Sequence, residues 1–183
     1  SAQTDDAVFV AGKGLTCRAA PVFQTGAGGT SLAVTQFLGE RMKQRGVVGS
    51  FGMGGTTEGL VKLLEQGLIR KILTVQAFDQ YAIQSLLNDV NHIEIGAGFY
   101  ANPHNRGTAV NLLDAVVLGA TEIDVHFNVN VNTHSDGLLQ YPTGGHGDTA
   151  GLQEQPGRAT LRRVRLRRNG RTSARRLHFY RIQ

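Results

Sequence analysis

Short apolar runs and longer segments with three- and four-residue apolar spacing take turns along this chain, and most of the short runs open into glycines. Residues 22–24 read as a strand, and Leu32, Val34, Phe37, Leu38 and Met42 then recur at helical spacing until Gly46. A second strand is expected at 47–51 and a helix at 57–66, with Leu60, Leu63 and Leu64 inward and Gly67 as its stop. Residues 69–75 predict a third strand, 79–87 a helix capped by Asp79, and 92–95 a fourth strand. The nearly continuous apolar stretch at 114–118 suits a strand covered on both faces. Residues 123–131 alternate as a half-buried strand does, and Ser135-Asp136-Gly137 supplies a tight turn.

Strands and helices in regular succession predict an α/β fold, with a parallel or mixed sheet and helices on both sides. Ligands in such sheets bind beyond the carboxyl ends of the strands. Five glycine-rich turns are expected there: TGAGGTS at 25–31, FGMGGTT at 51–57, IGAGF at 95–99, HNRGT at 104–108 and TGGHGDTAG at 143–151. Such turns let a backbone approach a ligand closely and present N–H groups at helix starts.

Composition changes this picture in one place. The 183 residues, 40% hydrophobic with 24 glycines, are enough for one loop-rich domain with a core. Cys17 is the single cysteine, so no internal disulfide forms. No apolar run approaches the roughly 18 residues of a membrane span, and no basic-then-apolar leader opens the sequence. The expected setting is cytoplasmic. Charge, however, is split: of the 19 Lys and Arg, ten are arginines between Arg158 and Arg181, and no Asp or Glu lies beyond Glu154. Clustered arginines suit phosphate. The scarcity of interleaved aromatics, Phe179 and Tyr180 alone, argues against nucleic acid as a partner.

The glycine turns fit none of the standard fingerprints. TGAGGTS lacks the Lys-Ser/Thr of a P-loop and the spacing of a dinucleotide turn, and no GxSxG elbow is present. The six histidines and one cysteine are scattered without metal-ligand spacing, so no metal is expected. Residue chemistry alone reaches a pocket for a phosphate-bearing or acyl-bearing ligand.

Several stretches together say more: FQTGAGGTSLAVTQFL, SFGMGGTTEGLVKLLEQGLIRKI, VQAFDQYAIQSL, YANPHNRGTAVNLLDAVVLGATEIDVHFNVNV, SDG and GGHGDTA. In this order they resemble the second half of the citrate lyase alpha subunit, a citrate:acetyl-carrier transferase, over residues 5–151. The resemblance implies a three-layer α/β/α fold of CoA-transferase type, with a mostly parallel and incomplete sheet, of which the full subunit has two copies. Residues 1–151 would be part of the second copy. Residues 152–183 would be a basic appendage, produced by a shifted reading frame or retained as a genuine tail. The implied reaction exchanges the acetyl group on an acyl carrier protein for citrate, giving citryl-carrier and acetate. The implied partners are a beta subunit, an acyl-carrier (gamma) subunit and citrate. No cofactor is expected on this chain itself, which would act on the carrier's phosphoribosyl-dephospho-CoA group.

The matched motifs also assign residues. Gly26, Gly28, Gly29, Gly54, Gly55, Gly144 and Gly145 are expected to line the thioester arm, or else to be simple tight turns. Asn102 and Asn105 are candidate arm or substrate contacts. Arg106 either holds a citrate carboxylate or is a solvated arginine. Asn128, Asn130 and Asn132 form a polar site wall or the solvent side of a strand. His146 is a candidate donor to developing charge, and Asp148 reads as a helix N-cap. CoA transferases with a glutamate nucleophile carry it at the strand end matched here by Ser50-Phe51-Gly52-Met53-Gly54-Gly55, which has no carboxylate. Attack by citrate's own carboxylate is therefore expected, with Glu58 as the nearest alternative nucleophile. The match departs from the family at Gly147, where the family's motif usually reads Cys, and is loose over 13–20. Competing with this reading are a non-catalytic binding module with a basic tail and a transferase for another acyl-CoA.

Overall fold

The computed structural model describes residues 20–123, 129–134, 136–140, 144–150 and 176–181. In chain order these form β1 (Val22–Thr25), α1 (Gly29–Arg45), β2 (Gly49–Thr56), α2 (Glu58–Glu65), β3 (Ile69–Ala77), α3 (Gln80–Asn88), β4 (His92–Glu94) and α4 (Ala97–Ala101). A 3-10 turn (Ala109–Leu112) then leads to β5 (Ala115–Ala120), β6 (Glu122–Ile123), β7 (Val129–Asn130), α5 (His146–Ala150) and β8 (Arg176–Arg181).

The main sheet runs β4-β3-β2-β1-β5-β8. Its first five strands are mutually parallel, and β8 closes the β5 edge in antiparallel register. The rest of the arginine-rich segment lies outside the described residues. The stretch RLHFYR carries two residues of good strand propensity, Phe179 and Tyr180, among its charges.

Two cores lie on the two faces of the sheet. One gathers Leu38 and Met42 of α1, Leu60, Leu63 and Leu64 of α2, and Ala82 of α3 over Phe23, Ile69 and Ile72. The other packs Tyr100, Ala109, Val110 and Leu113 over Val22, Met53, Val116 and Leu118. The three longer helices are punctuated at residues the sequence marks. Gly46 ends α1 with a φ of 61°, and Gly67 follows α2 with a φ of 68°. Asp79 caps α3 by accepting the Ala82 N–H at 2.7 Å. Its second oxygen accepts the Glu58 N–H at 2.7 Å, tying the start of α3 to that of α2.

Three expectations need correction. The FGMGGT stretch is a strand rather than a turn: β2 continues through Thr56, with a register shift between Gly54 and Gly55 against β3. A bulge accommodates the glycines without ending the ladder. Residues 123–131 do not form one long strand. Instead β6 and β7 pair with each other, Glu122 opposite Asn130, in a separate two-stranded sheet. Alternation reports a half-exposed strand and cannot show where the strand folds back. Asp148 is the third residue of α5 and not its cap.

Candidate functional site

Strand order locates the site. The chain steps from β1 through β2 and β3 to β4 in one direction, then returns to place β5 on the other side of β1. Neighbouring loops at the carboxyl ends of β1 and β5 therefore diverge, leaving the crevice where ligands bind in such sheets. The Gly26 N–H crosses it to donate to the Val117 carbonyl at 3.0 Å. Beyond it, α1 starts at Gly28 and Gly29 with no side-chain cap, and both glycines face open space. That end of a 17-residue helix presents unsatisfied N–H groups and the positive pole of the helix dipole.

Under the crevice sits a buried polar contact. Gln24, on β1, is 2% exposed, and its Oε1 accepts the Tyr100 hydroxyl at 2.9 Å. Burial pushes the Tyr100 phenol up to about 12, against the lowering effect of the Gln24 bond, with Asp148 adding to the rise. Tyr100 is thus a permanent donor at any ordinary pH. Two glycines close around the carboxamide. A Cβ on Gly54, whose φ is 96°, would come within 2.8 Å of Gln24 Cδ, and one on Gly145 within 3.0 Å of Gln24 Nε2.

Beside this contact opens a cavity of about 240 Å³ lined by Ala101, Asn102, Pro103, Thr108, Val110, Asn111, Gly147 and Asp148. Its wall is built from α4, the loop after it and α5. Asp148 is its one charged lining residue among the described residues. The loop is shaped by its own side chains: Asn102 Oδ1 accepts the His104 N–H at 2.9 Å, and Asn105 Oδ1 accepts the Gly107 N–H at 2.8 Å. Asn111 Nδ2 donates to the Arg106 carbonyl and to Thr108 Oγ1, both at 3.0 Å. At the other side of the crevice the His146 ring, through Nε2, meets the Gly119 carbonyl of β5.

Comparison with known proteins gives the chain's family. The sequence profile of the family "Citrate lyase, alpha subunit (CitF)" matches residues 10–165. This chain belongs to the citrate lyase alpha-subunit family. Over 127 residues it is 56% identical to the citrate lyase alpha chain of Escherichia coli and 51% identical to that of Haemophilus influenzae. Each match covers 69% of this chain, and the chain spans about 25% of the length of each of these curated relatives. A crystal structure of the citrate lyase alpha subunit from Streptococcus mutans, in complex with citrate, superposes with a TM-score of 0.71 at 46% identity. That superposition covers 78% of this chain and 29% of the Streptococcus mutans chain.

Within this alpha-subunit segment the candidate residues fall into three groups. Gly26, Gly28 and Gly29 lie at the mouth of the crevice, as described. Gly54 and Gly145 meet at Gln24, while Gly55 sits against Phe78, whose ring a Cβ would overlap. Gly144 turns the chain into α5 with a φ of 55°. Asn102 reaches the cavity wall, but Asn105 and Arg106 are exposed on the loop and are not among its lining residues. Asn128 lies outside the described residues. Asn132 is partly buried, and its carbonyl accepts the Gln140 N–H at 2.7 Å. Glu58 is exposed, its carboxylate 2.7 Å from Lys62 Nζ, and this partner raises the lysine above its usual range.

Four contributors were missed from sequence: Gln24, Tyr100, Thr108 and Asn111. Gln24 carried a usable signal, being the lone amide in the apolar run VFQT just before a glycine turn. A buried amide must find a partner. Among the described residues no group of three or more His, Cys, Asp or Glu is placed to hold a metal, and no helix is long and apolar enough to cross a membrane.

Proposed function

We propose that this chain contributes the strand-end cleft of a transferase that exchanges the acetyl group of an acyl-carrier thioester for citrate, releasing acetate. In this reading it works within a citrate lyase complex, beside a beta subunit and an acyl-carrier subunit. The observation that carries the proposal is the cavity beside the Gln24–Tyr100 contact, lined by the neutral polar side chains of Asn102, Thr108 and Asn111 and by Gly147 and Asp148 at the start of α5.

The lining sorts the two substrates. A wall of Asn102, Thr108, Asn111, Ala101 and Val110 suits the amides and methylenes of a carrier arm, and Asp148 repels a tricarboxylate. The phosphate end of that arm, or an oxyanion, finds its complement at the uncapped start of α1. A citrate carboxylate oxygen then attacks the acetyl carbonyl carbon, the C–S bond breaks, and the carrier leaves as thiolate. The thiolate next attacks the citryl carbonyl of the mixed anhydride, and acetate departs with its C–O electron pair. No net proton is consumed.

Holding the reactants in line is the protein's main contribution. The ion pair with Lys62 turns the Glu58 carboxylate to an exposed flank of α2, which supports direct attack by the substrate. His146 Nε2 is engaged by the Gly119 carbonyl, which seats the ring against β5.

The test is a transplant. The matching 127-residue segment replaces its counterpart in the Escherichia coli alpha chain, and acetate release from acetyl-carrier is followed with citrate present. Activity within about tenfold of the parent supports the reading; a folded chimera with no citrate-dependent acetate release contradicts it.

A further inference from the structure

The Gln24–Tyr100 contact does more than satisfy two buried polar groups. Tyr100 lies one residue before Ala101 and Asn102, which form one wall of the cavity. Gly145 lies two residues before Gly147 and Asp148, which form the other. A Cβ on Gly145 would meet both members of the contact, Gln24 Nε2 at 3.0 Å and the Tyr100 hydroxyl at 3.4 Å. The same carboxamide presses on Gly54 of β2. One buried amide therefore touches β2, α4 and the turn into α5, and the two cavity walls meet across it.

We propose that Gln24 and Tyr100 are positioning residues that fix the spacing of the two cavity walls and the seating of His146, and so set affinity for the thioester arm. This rests on the reading above that the cavity takes such an arm. Neither residue need touch the ligand. Tyr100 locks the carboxamide by donating to Oε1, which aims Nε2 at the backbone of Gly145. A side chain at Gly145 would have to push the amide and the Tyr100 hydroxyl aside by a few tenths of an ångström. The next residue is His146, held to Gly119 of β5, so the turn is pinned at both ends.

The experiment separates this idea from the functional reading. In the 183-residue chain, amide hydrogen exchange over residues 144–149 is compared between the parent and Tyr100→Phe, which removes the hydroxyl and keeps the ring. Exchange there is expected to rise roughly tenfold, with exchange in α1 and α2 unchanged. Gly145→Ala approaches the same contact from the loop and leaves the core intact, so it serves if Tyr100→Phe does not fold. In parallel, affinity for dephospho-CoA is expected to fall roughly fivefold to tenfold in both variants, and by less than the product of the two in the double variant. Unchanged exchange over 144–149 overturns the positioning role. Faster exchange with unchanged affinity overturns the link to the ligand. A parent chain that does not bind dephospho-CoA defeats the functional reading, while the exchange result still decides the positioning role.

Discussion

The two faces of the sheet are built on different terms. On one, α2 lays an apolar stripe over Phe23, Ile69 and Ile72, joined by Leu38 and Met42 of α1 and Ala82 of α3, and Leu60, Val61 and Ile72 are fully buried. On the other, a five-residue helix, a 3-10 turn and connecting loops do the covering, and Phe51, Leu73, Val75 and Ile95 are only partly buried. The helical face gains its stability from apolar area. The loop face spends buried volume on a polar contact and an open cavity. A fold of this kind keeps its rigidity on one side so that the other can be shaped for a ligand.

Mutations on the helical face should break stability first and binding only as a consequence. Leu60→Ala leaves a void beside Gly52, against which the Leu60 side chain lies, and should cost about 3 kcal/mol in chemical denaturation. On the loop face, Gly54→Ala forces a methyl toward Gln24 at a φ of 96° and should cost about 2 kcal/mol. Its signature is a loss of dephospho-CoA affinity exceeding that of Leu60→Ala when both are measured under folded conditions. Removing the shared cap with Asp79→Ala frees the Ala82 and Glu58 amides together and should cost about 1 kcal/mol, without affecting the ligand.

His92 gives a pH-dependent test at the far edge of the sheet. It is 3% exposed, its Nδ1 lies 2.9 Å from Ser85 Oγ, and its Nε2 has no hydrogen-bond partner among the described residues. Burial lowers its affinity for a proton, with Asp89 acting in the opposite sense. The unfolded chain therefore takes up the proton first as pH falls. The stability this neutral ring allows is present above its ordinary value of 6.5 and declines as pH drops through that value toward the lower folded one. His92→Gln should flatten that part of the stability profile. The smallest effect is expected for Glu58→Gln in the transplanted alpha chain, where turnover should stay within about twofold because the proposed route uses citrate's own carboxylate as nucleophile. A trapped glutamyl thioester at Glu58 would contradict that.

Periodic segments were legible because their physics is local. The Leu60, Leu63 and Leu64 stripe, the Asp79 cap and the stops at Gly46 and Gly67 each follow from residues within one or two turns. The site was legible only in part. Glycine turns pointed to the strand ends, and the matched motifs pointed to the family. What brought Gln24 to Tyr100, 76 residues away, is the order of strands in the sheet, which no local pattern carries. The same limit explains FGMGGT, where glycine content suggested a turn but pairing on both sides makes a bulged strand. It explains Arg106 as well, a residue type suited to carboxylates that the Asn102 and Asn105 turns leave on an exposed loop.

In the proposed function the strand-end crevice, and not another surface of this chain, receives the thioester arm. Titrating the isotope-labelled 183-residue chain with dephospho-CoA while following backbone amide resonances tests it directly. The expected result is a set of saturable shifts at residues 26–29, 54, 101–102 and 145–148. Shifts confined to α3 and β4, or none in a chain shown to be folded, would contradict it.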